Sequence, residues 1–268
     1  MNNNSHPIGV FDSGVGGLTV AKELRKLLNQ EKIIYFGDTA RVPYGNKSRE
    51  TIIKFALESV LFLLKQNVKL VLIACNTSSS IALPVIRQYF RIPIIGVVNP
   101  AVRESVYATR NRRIGVIGTR ATISSKIYEQ EIRRLDSTIK VFAQSCPLFV
   151  PLVEEGWWDG EVVEGIVRSY LLPLKENKID TLILACTHYP LLKKVIGKVM
   201  GENVVLIDSA REAAIEVKKI LGEENLLCLE KRRGEKLVCF VTDKSESFKK
   251  IGEKFLGDKI KEIYEIKE

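Results

Sequence analysis

The amino-acid sequence predicts an α/β protein made of two pseudo-symmetric, parallel-sheet α/β domains that face each other across a cleft. Runs of Val, Ile and Leu at 70–73 and 181–184 are typical of strands that are buried on both faces of a parallel sheet. Such strands alternate with helical patterns, which is the order expected of parallel α/β architecture. Strands at 8–13 and 114–119 precede these runs at nearly the same spacing, so we expect two related halves.

The elements of the first half follow from the spacing of its apolar residues. Helices are predicted where apolar residues recur every three or four positions, and strands where short apolar runs are continuous. In chain order these elements are strand 8–13, helix 18–29, helix 48–66, strand 70–73, an amphipathic stretch over 79–91 that contains Pro84, and strand 94–98.

The second half repeats this order, and three elements follow it. The repeated elements are strand 114–119, helix 124–135, strand 181–184, an amphipathic stretch over 190–199 and strand 204–207. A helix at 211–221, a strand at 237–241 and a helix at 245–256 have no counterpart, so we expect them to complete the layers of the first domain. The predicted domains are therefore 1–98 together with 209–268, and 99–208.

The composition excludes several classes of protein. A chain of 268 residues with 46% hydrophobic and 27% charged residues is typical of a folded globular protein. The polar start over 1–7 lacks the features of a signal peptide, and the longest apolar stretch, 60–75, is interrupted by polar residues. We therefore expect a cytoplasmic protein that does not bind membranes.

The net charge of +9 is spread along the chain, with short basic clusters at 110–113 and 231–236, so nucleic acid is not expected as the main partner.

The cysteines and histidines predict neither a disulfide framework nor a metal site. The five cysteines are an odd number, are widely scattered and include no C-x-x-C pair. The two histidines fall in no recognisable ligand cluster, and His6 lies in a polar tail. Cys146, Cys228 and Cys239 are expected to act as small apolar residues in the core.

Cys75 and Cys186 stand in near-duplicate segments, each directly after a predicted buried strand. Ligand sites of parallel α/β sheets lie at the carboxyl ends of the strands, where Asp12-Ser13 and Gly118-Thr119 also fall. We expect the four segments to converge on one active-site cleft. Two thiols on opposite sides of a substrate can remove a proton from one face of a carbon and return it to the other. For either cysteine taken alone, a place in the core is the alternative.

Each of these thiols is expected just before the first turn of a helix, where backbone N–H groups and the helix dipole lower the thiol pKa. Thr77 and Thr187, with Ser78 and Ser79, are candidates either to cap those helices or to donate hydrogen bonds to a substrate carboxylate.

Asp12 and His188 each allow two interpretations. Asp12 precedes a glycine-rich turn and is a candidate either to bind a substrate ammonium or orient a thiol, or to cap a helix. That turn matches neither of the common nucleotide-binding glycine patterns. His188 is a candidate to tune Cys186 or to exchange protons with it, and the alternative is a histidine that only forms a hydrogen bond near the turn at Tyr189-Pro190. The residues by themselves indicate a two-thiol isomerase.

Five segments together resemble the glutamate racemase family of the cofactor-independent aspartate/glutamate racemase superfamily. The resemblance runs from about residue 8 to 210 and is carried by the segments Phe11-Asp12-Ser13-Gly14-Val15-Gly16-Gly17-Leu18, Tyr35-Phe36-Gly37-Asp38-Thr39, Val42-Pro43-Tyr44-Gly45, Ala74-Cys75-Asn76-Thr77 and Ala185-Cys186-Thr187-His188-Tyr189-Pro190.

The resemblance implies a set of roles for matching positions. Cys75 and Cys186 would be the catalytic acid/base thiols, supported by Asp12 and His188, and Glu154 would be a further acidic residue of the site, with Glu155 beside it left open. Asp38 also matches the family pattern. The implied substrate contacts are Asp12, Ser13, Pro43, Tyr44, Gly45, Asn76, Thr77, Thr119, Thr187 and His188.

The resemblance also implies an activity. This is the interconversion of L-glutamate and D-glutamate without a cofactor or metal, which supplies D-glutamate for peptidoglycan. Glutamate would be the small-molecule substrate, and we expect a homodimer whose arrangement the motifs do not encode. One alternative is a racemase of aspartate or another acidic amino acid. A more distant alternative is a small-molecule or nucleic-acid binder without catalytic activity.

Overall fold

The computed structural model describes residues 3–229, 236–244 and 246–266. The predicted helix start at Ser245, residues 231–235 of the second basic cluster and the first two residues of the chain lie outside the described residues. The chain splits into two compact units, which are Met1–Val97 together with Ala210–Glu268, and Val98–Ser209.

The first unit contains a parallel sheet that, in the described residues, has six strands in the order β10-β9-β2-β1-β3-β4. The strands are β1 Ile8–Asp12, β2 Ile33–Gly37, β3 Leu70–Ile73, β4 Ile94–Gly96, β9 Leu237–Val241 and β10 Glu262–Glu265. All residues of β1, β2, β3 and β4 are buried, as expected of strands covered by helices on both faces.

The helices of the first unit are α1 Leu18–Leu27, α2 Arg49–Lys65, α3 Asn76–Ile81, α4 Leu83–Ile86, α11 Ser209–Glu223, which starts at the unit boundary, and α12 Glu246–Leu256. The side chain of Ser48 caps α2 by accepting a hydrogen bond from the backbone N–H of Thr51. Helices α1 and α12 pack together, and α2 packs on β1 and α3. Among its described residues, the segment from Ser209 onward thus contributes two helices and two strands to this unit.

The second unit repeats the central topology of the first. Its strands are β5 Arg113–Gly118, β6 Lys140–Ser145, β7 Thr181–Ala185 and β8 Val205–Asp208, paired in parallel in the order β6-β5-β7-β8. The order β2-β1-β3-β4 in the first unit has the same pattern. The prediction of two parallel-sheet α/β domains with a repeated arrangement is confirmed.

The helices of the second unit surround this smaller sheet. They are α5 Val98–Ala108, α6 Arg120–Ser124, α7 Ile127–Leu135, α8 Phe149–Glu154, α9 Glu161–Glu176 and α10 Lys193–Met200. One cluster of the core joins α5 and α7 to β5 and β7 through buried Val102, Ile132, Val116 and Ile183. Helix α10 ends at Met200, and the residue that follows it, Gly201, has a φ of 92°, which suits glycine.

Several predicted elements are wrong in their extent. The stretch over 79–91 is divided between α3, α4 and a turn, and the predicted strand 94–98 ends at Gly96 because Val98 already begins α5. The stretch over 190–199 begins as a 3-10 helix at Tyr189–Leu192 and continues as α10. Strand β6 was not predicted, since its residues are only partly buried and form no continuous apolar run.

A buried ion pair links three parts of the first unit. Lys69 Nζ lies 2.7 Å from Glu31 Oε2, and the two side chains are 1% and 2% exposed. Lys69 also donates hydrogen bonds to the carbonyls of Asn4 and Leu226, at 2.8 and 2.7 Å. Glu31 accepts a further hydrogen bond, at 2.8 Å, from the backbone N–H of Cys228. The pair therefore holds the N-terminal segment and the chain after α11 against β3.

We expect Lys69→Met to lower the free energy of unfolding by about 3–5 kcal/mol, because it leaves the Glu31 carboxylate buried without its counter-charge. Guanidinium denaturation measures this change. Lys65→Met is the matched control, since Lys65 is exposed at the end of α2 and should change stability by less than about 0.5 kcal/mol. Equal stability of the two variants would contradict the structural role of the pair.

Candidate active site

The first cluster of predicted site residues lies at the carboxyl ends of β1 and β3. Asp12 ends β1, and Cys75 follows β3 by two residues. The backbone N–H of Ala74 donates to the carbonyl of Phe11 at 2.8 Å, which continues the pairing of the two strands to this edge. Asp12 and Cys75 are 1% and 5% exposed. Because the carboxyl ends of parallel strands lie at the same edge of a sheet, the carboxylate and the thiol are brought to one edge.

Asp12 does not cap a helix, so that interpretation is wrong. Helix α1 begins after Gly17 without a side-chain cap, whereas Asp12 Oδ2 accepts the backbone N–H of Gly14 at 3.0 Å. A Cβ atom on Gly17 would lie 2.5 Å from Asp12 Cβ, so the turn packs closely on the carboxylate only because residue 17 is glycine. Tyr35 supports the turn by donating its hydroxyl to the carbonyl of Gly14 at 2.6 Å.

The prediction of a lowered thiol pKa is wrong for Cys75. Burial and the charge of Asp12 raise the pKa of Cys75 to about 11, although the Ser13 hydroxyl and the backbone N–H and hydroxyl of Ser78 act in the opposite direction. The thiol lies 3.5 Å from the Ser13 hydroxyl, to which it donates. A thiolate formed here would be a strong base, because the same surroundings that disfavour its charge favour its protonation.

The serines and threonines after Cys75 do not cap α3. Cys75 itself occupies the N-cap position, and no side chain caps the helix there. Asn76 and Thr77 form the first turn and are buried. Ser79 instead links the end of β3 to the residue that follows β4, because its hydroxyl donates to the carbonyl of Ile73 at 2.7 Å and accepts the N–H of Val97 at 3.3 Å. For Asn76 and Thr77, the prediction that they donate hydrogen bonds to a substrate stays a prediction.

The loop that contains Pro43, Tyr44 and Gly45 is held by Asp38, which is fully buried. The Asp38 carboxylate accepts hydrogen bonds from Arg41 Nε at 2.7 Å, from the Tyr44 hydroxyl, and from Thr242 Oγ1 at 3.0 Å. The Tyr44 side chain is 1% exposed, and burial together with the Asp38 carboxylate raises its pKa well above the ordinary value. Its hydroxyl is therefore engaged in the loop itself.

Thr242 is a residue of this region that the sequence did not reveal. It follows β9, far along the chain from the loop, and its hydroxyl also accepts the backbone N–H of Ala40 at 3.0 Å. Thr39 and Asp243 exchange two further hydrogen bonds, at 2.7 and 2.8 Å. The pairing of β9 with β2 places this segment beside Asp38, and nothing in the sequence indicates that pairing.

The second cluster lies at the carboxyl ends of β5 and β7. Gly118 and Ala185 pair at the ends of these neighbouring strands, and Thr119 and Cys186 follow them directly. Cys186, Thr187 and His188 are buried. The expectation that a helix starts directly after this thiol is wrong, because the next helical turn begins only at Tyr189, and Thr187 does not cap it.

His188 links the second thiol to Glu154. Its Nδ1 lies 3.9 Å from Cys186 Sγ, and its Nε2 lies 3.0 Å from Glu154 Oε1, at the end of α8. Of Glu154 and Glu155, between which the sequence left the choice open, Glu154 makes this contact. Burial opposes the charged form of His188, but the hydrogen bonds to Cys186 and Glu154 outweigh it and raise the pKa of His188 to about 10. His188 is therefore an imidazolium at neutral pH.

Thr119 and Cys146 complete the surroundings of this cluster. Thr119 caps α6, since its hydroxyl accepts the backbone N–H of Thr122 at 3.2 Å. Cys146 follows β6 and is fully buried, and its carbonyl accepts the Tyr189 hydroxyl at 3.0 Å. Burial and the neighbouring Cys186 raise the pKa of Cys146 above 9. Cys228 and Cys239 are likewise buried, and all five cysteines are free thiols.

The structure thus groups the predicted residues into two clusters, one in each unit, and the two cysteines belong to different clusters. The first cluster contains Asp12, Ser13, Pro43, Tyr44, Gly45, Cys75, Asn76 and Thr77, and the second contains Thr119, Glu154, Cys186, Thr187 and His188. Over the described ranges, no set of three or more His, Cys, Asp and Glu residues is placed to hold a metal ion. In the same part of the chain, no helix has the length and apolar character needed to cross a bilayer.

The repeated fold with a buried thiol after a central strand of each unit is that of a racemase, a class of isomerase. The chain belongs to the Asp/Glu/hydantoin racemase family, whose pattern matches residues 8–217.

Similar proteins extend over nearly the whole chain. The chain is 49% identical to the glutamate racemase of Geobacter metallireducens, over 97% of this chain and 96% of that protein. It is 47% identical to the glutamate racemase of Syntrophus aciditrophicus, over 96% of both chains.

Solved structures have the same fold. A glutamate racemase isoform from Bacillus anthracis matches with a TM-score of 0.93 and 41% identity over 97% of both chains. The glutamate racemase of Francisella tularensis, solved in complex with D-glutamate, matches with a TM-score of 0.92 and 40% identity over 98% of both chains. An aspartate racemase from Picrophilus torridus, at 18% identity and a TM-score of 0.58 over 84% of this chain and 100% of that one, shares the fold alone.

Proposed function

We propose that this protein interconverts L-glutamate and D-glutamate by two-base proton transfer at the α carbon, without a cofactor. Family membership and full-length similarity to glutamate racemases support the substrate. The observation that carries the mechanism is a buried thiol at a strand end of each unit, with a second titratable side chain beside each sulfur.

In the proposed reaction, one sulfur serves as base and the other as acid. The Cys75 thiolate takes the proton from Cα on one face, its electron pair stays on the carbon as a carbanion, and the Cys186 thiol gives a proton to the opposite face. In the reverse direction the two thiols exchange roles. Each sulfur must approach Cα to about 3 to 3.5 Å for these transfers.

The proposed supporting groups differ between the two thiols. Asp12 strengthens Cys75 as a base through its charge and binds the substrate ammonium. His188, held as an imidazolium by Glu154, is a proton donor and a positive charge beside Cys186. The proposed electrostatic roles of the two clusters therefore differ, because Cys186 has a cation beside it and Cys75 has an anion.

Hydrogen-bond donors at the strand ends are proposed to hold the substrate and to stabilise the carbanion. Because the Tyr44 hydroxyl is engaged by Asp38, we assign the contacts of Pro43, Tyr44 and Gly45 to the backbone of this loop. The proposed side-chain contacts are Ser13, Asn76, Thr77, Thr119 and Thr187.

Circular dichroism tests the activity directly. In buffer without pyridoxal phosphate, L-glutamate and D-glutamate should each lose their signal at comparable rates, and L-aspartate should lose its signal at least about a hundredfold more slowly. Faster turnover of aspartate than of glutamate would show that aspartate is the substrate and that the proposed assignment is wrong. No turnover of either amino acid would favour a binder without catalytic activity.

Thr242→Val tests the role of the loop. Without the hydroxyl, Asp38 loses one donor, and a loop that is held less firmly should raise KM for glutamate roughly fivefold, which corresponds to about 1 kcal/mol. Because the loop is proposed to bind substrate and transition state alike, kcat should change less than twofold. Thr242→Ser keeps the hydroxyl and should restore the KM. A fall in kcat with unchanged KM would contradict this role.

We further propose that the protein is a cytoplasmic homodimer whose product, D-glutamate, serves peptidoglycan synthesis. Complementation of a bacterial strain that requires external D-glutamate tests the physiological role, and sedimentation velocity tests the dimer. Growth without added D-glutamate and a single dimeric species are the expected results.

A further inference from the structure

Ser78 has a buried hydroxyl that the proposed mechanism does not yet use. Ser78 lies in α3, three residues after Cys75, and is 0% exposed. Its Oγ has no hydrogen-bond partner within the described part of the chain. Buried hydroxyls are normally paired, because an unmade hydrogen bond in the interior costs stability. An unpaired hydroxyl beside a reacting group therefore indicates that its hydrogen bond forms only in another state of the site.

The spacing in α3 brings this hydroxyl to the catalytic sulfur. Residues three apart on a helix are neighbours on its surface, so Ser78 follows one turn after Cys75 on the same side. In the thiol form, the S–H of Cys75 donates to Ser13 at 3.5 Å. After the proton leaves, the sulfur can only accept hydrogen bonds, and the Ser78 hydroxyl, which is free to rotate, can donate to it.

The electrostatics of Cys75 agree with this geometry. Burial and Asp12 raise its pKa, and the groups that act against them are the Ser13 hydroxyl and the N–H and hydroxyl of Ser78. Ser78 therefore favours the thiolate, whose formation the rest of the cluster opposes. A donor of this kind keeps a buried strong base accessible near neutral pH.

We propose that Ser78 is a positioning residue that stabilises the thiolate form of Cys75 by donating a hydrogen bond to its sulfur. This inference rests on the proposed function, in which the thiolate is the base. Ser78 keeps its own proton throughout, and the proton that leaves Cα goes to the sulfur. Ser78 thereby lowers the cost of ionising Cys75 without touching the substrate.

The same helix supplies a matched control. Ser80 is 5% exposed, and its hydroxyl is also without a hydrogen-bond partner among the residues described. It lies five positions after Cys75, nearly half a turn away from the direction of Ser78. Ser78→Ala and Ser80→Ala each remove one buried, unpaired hydroxyl. Only the hydroxyl of Ser78 is on the side of the helix that carries the Cys75 sulfur.

The first measurement titrates Cys75 in the absence of substrate. The ultraviolet absorbance of the thiolate is followed against pH, and the matching Cys75→Ala double variants are subtracted. The midpoint for Cys75 should move up by about one pH unit in Ser78→Ala, which is tenfold less thiolate at neutral pH. It should stay unchanged in Ser80→Ala and be restored in Ser78→Thr. Coinciding midpoints of wild type and Ser78→Ala would overturn the proposal, whether or not glutamate is the substrate.

The second measurement is the pH dependence of kcat/KM. In Ser78→Ala it should fall about tenfold, equally for both enantiomers because their equilibrium constant is one. The loss should stay near tenfold up to about pH 10, because the Cys75 midpoint lies above that range in both proteins. Both alanine variants should keep or exceed the wild-type Tm, since each loses an unpaired buried hydroxyl. An equal loss of activity in Ser80→Ala, or a loss in Ser78→Ala that comes with a lower Tm and an unchanged Cys75 midpoint, would overturn the proposal in favour of a packing role.

Discussion

Cys75→Ala and Cys186→Ala should each lower kcat for racemisation by about 10⁴-fold, the upper end of the range for a positioned acid or base. The proposed reaction needs both thiols in each direction, because one would take the proton and the other would supply its replacement. The fold should persist, since each change removes only one sulfur atom from a strand end. Polarimetric assays with each enantiomer, alongside thermal unfolding, measure these two properties.

The remaining cysteines provide controls in the same units. Cys239→Ala removes a buried thiol from β9 of the first sheet, and Cys146→Ala removes one from the end of β6 in the second. Both should retain kcat within a few-fold of wild type. Near-native turnover by Cys75→Ala or Cys186→Ala would contradict the two-thiol mechanism, as would an equally large loss in both controls.

A substrate analogue with a leaving group on the β carbon separates the two thiols further. Elimination needs one base only, because the Cα proton goes to sulfur, the electron pair forms the double bond and the leaving group departs. Cys186→Ala should therefore eliminate from the enantiomer whose proton faces Cys75, and Cys75→Ala from the other one. Loss of both eliminations in one variant would indicate a damaged site rather than a missing acid.

The second large effect is expected at His188. His188→Asn should lower kcat/KM by about 10²-fold, because it removes the imidazolium that we propose stabilises charge beside Cys186. The pKa of His188 is raised to about 10, so the imidazolium is present at neutral pH and is lost as pH rises through about 10. Activity that depends on it should fall over the same range. The charged form of His188 also stabilises the fold. This stabilisation is complete below about pH 6.5, the ordinary pKa of histidine, and is lost as pH rises through about 10.

Glu154 and Glu155 allow this assignment to be checked by pH profiles. Glu154→Gln removes the negative charge 3.0 Å from His188 Nε2, so the alkaline fall in activity should begin at a lower pH. Glu155→Gln changes the neighbouring exposed carboxylate and should leave the profile unchanged. Identical profiles for the two variants would remove Glu154 from the site.

The sequence predicted the positions of the thiols because their location depends on local pattern. The runs at Leu70–Ile73 and Thr181–Ala185 are continuous and apolar, and the residue after such a run must lie at the edge where parallel sheets hold their sites. Repetition of the pattern predicted the repeated topology. Half-buried strands such as β6 and β10 carry no such run, so they were not predicted.

The pKa of Cys75 and the role of Tyr44 could not be predicted because they depend on tertiary neighbours. The sequence places Cys75 before a helix, which by itself lowers a thiol pKa, but the larger effects come from burial and from Asp12 on another strand. The Tyr44 hydroxyl is engaged by Asp38, which Thr242 also contacts from beyond position 240. Contacts between distant segments decide both, and spacing along the chain does not encode them.

Deuterium incorporation during the first turnovers tests the transfer between two sulfurs most directly. L-glutamate is incubated with the enzyme in D₂O, the enantiomers are separated early in the reaction, and the isotope at Cα of each is measured. The proposed transfer between two thiols predicts D-glutamate that carries deuterium, while the remaining L-glutamate still carries protium. D-glutamate that retains the original proton, or equal deuterium in both enantiomers from the start, would contradict the account.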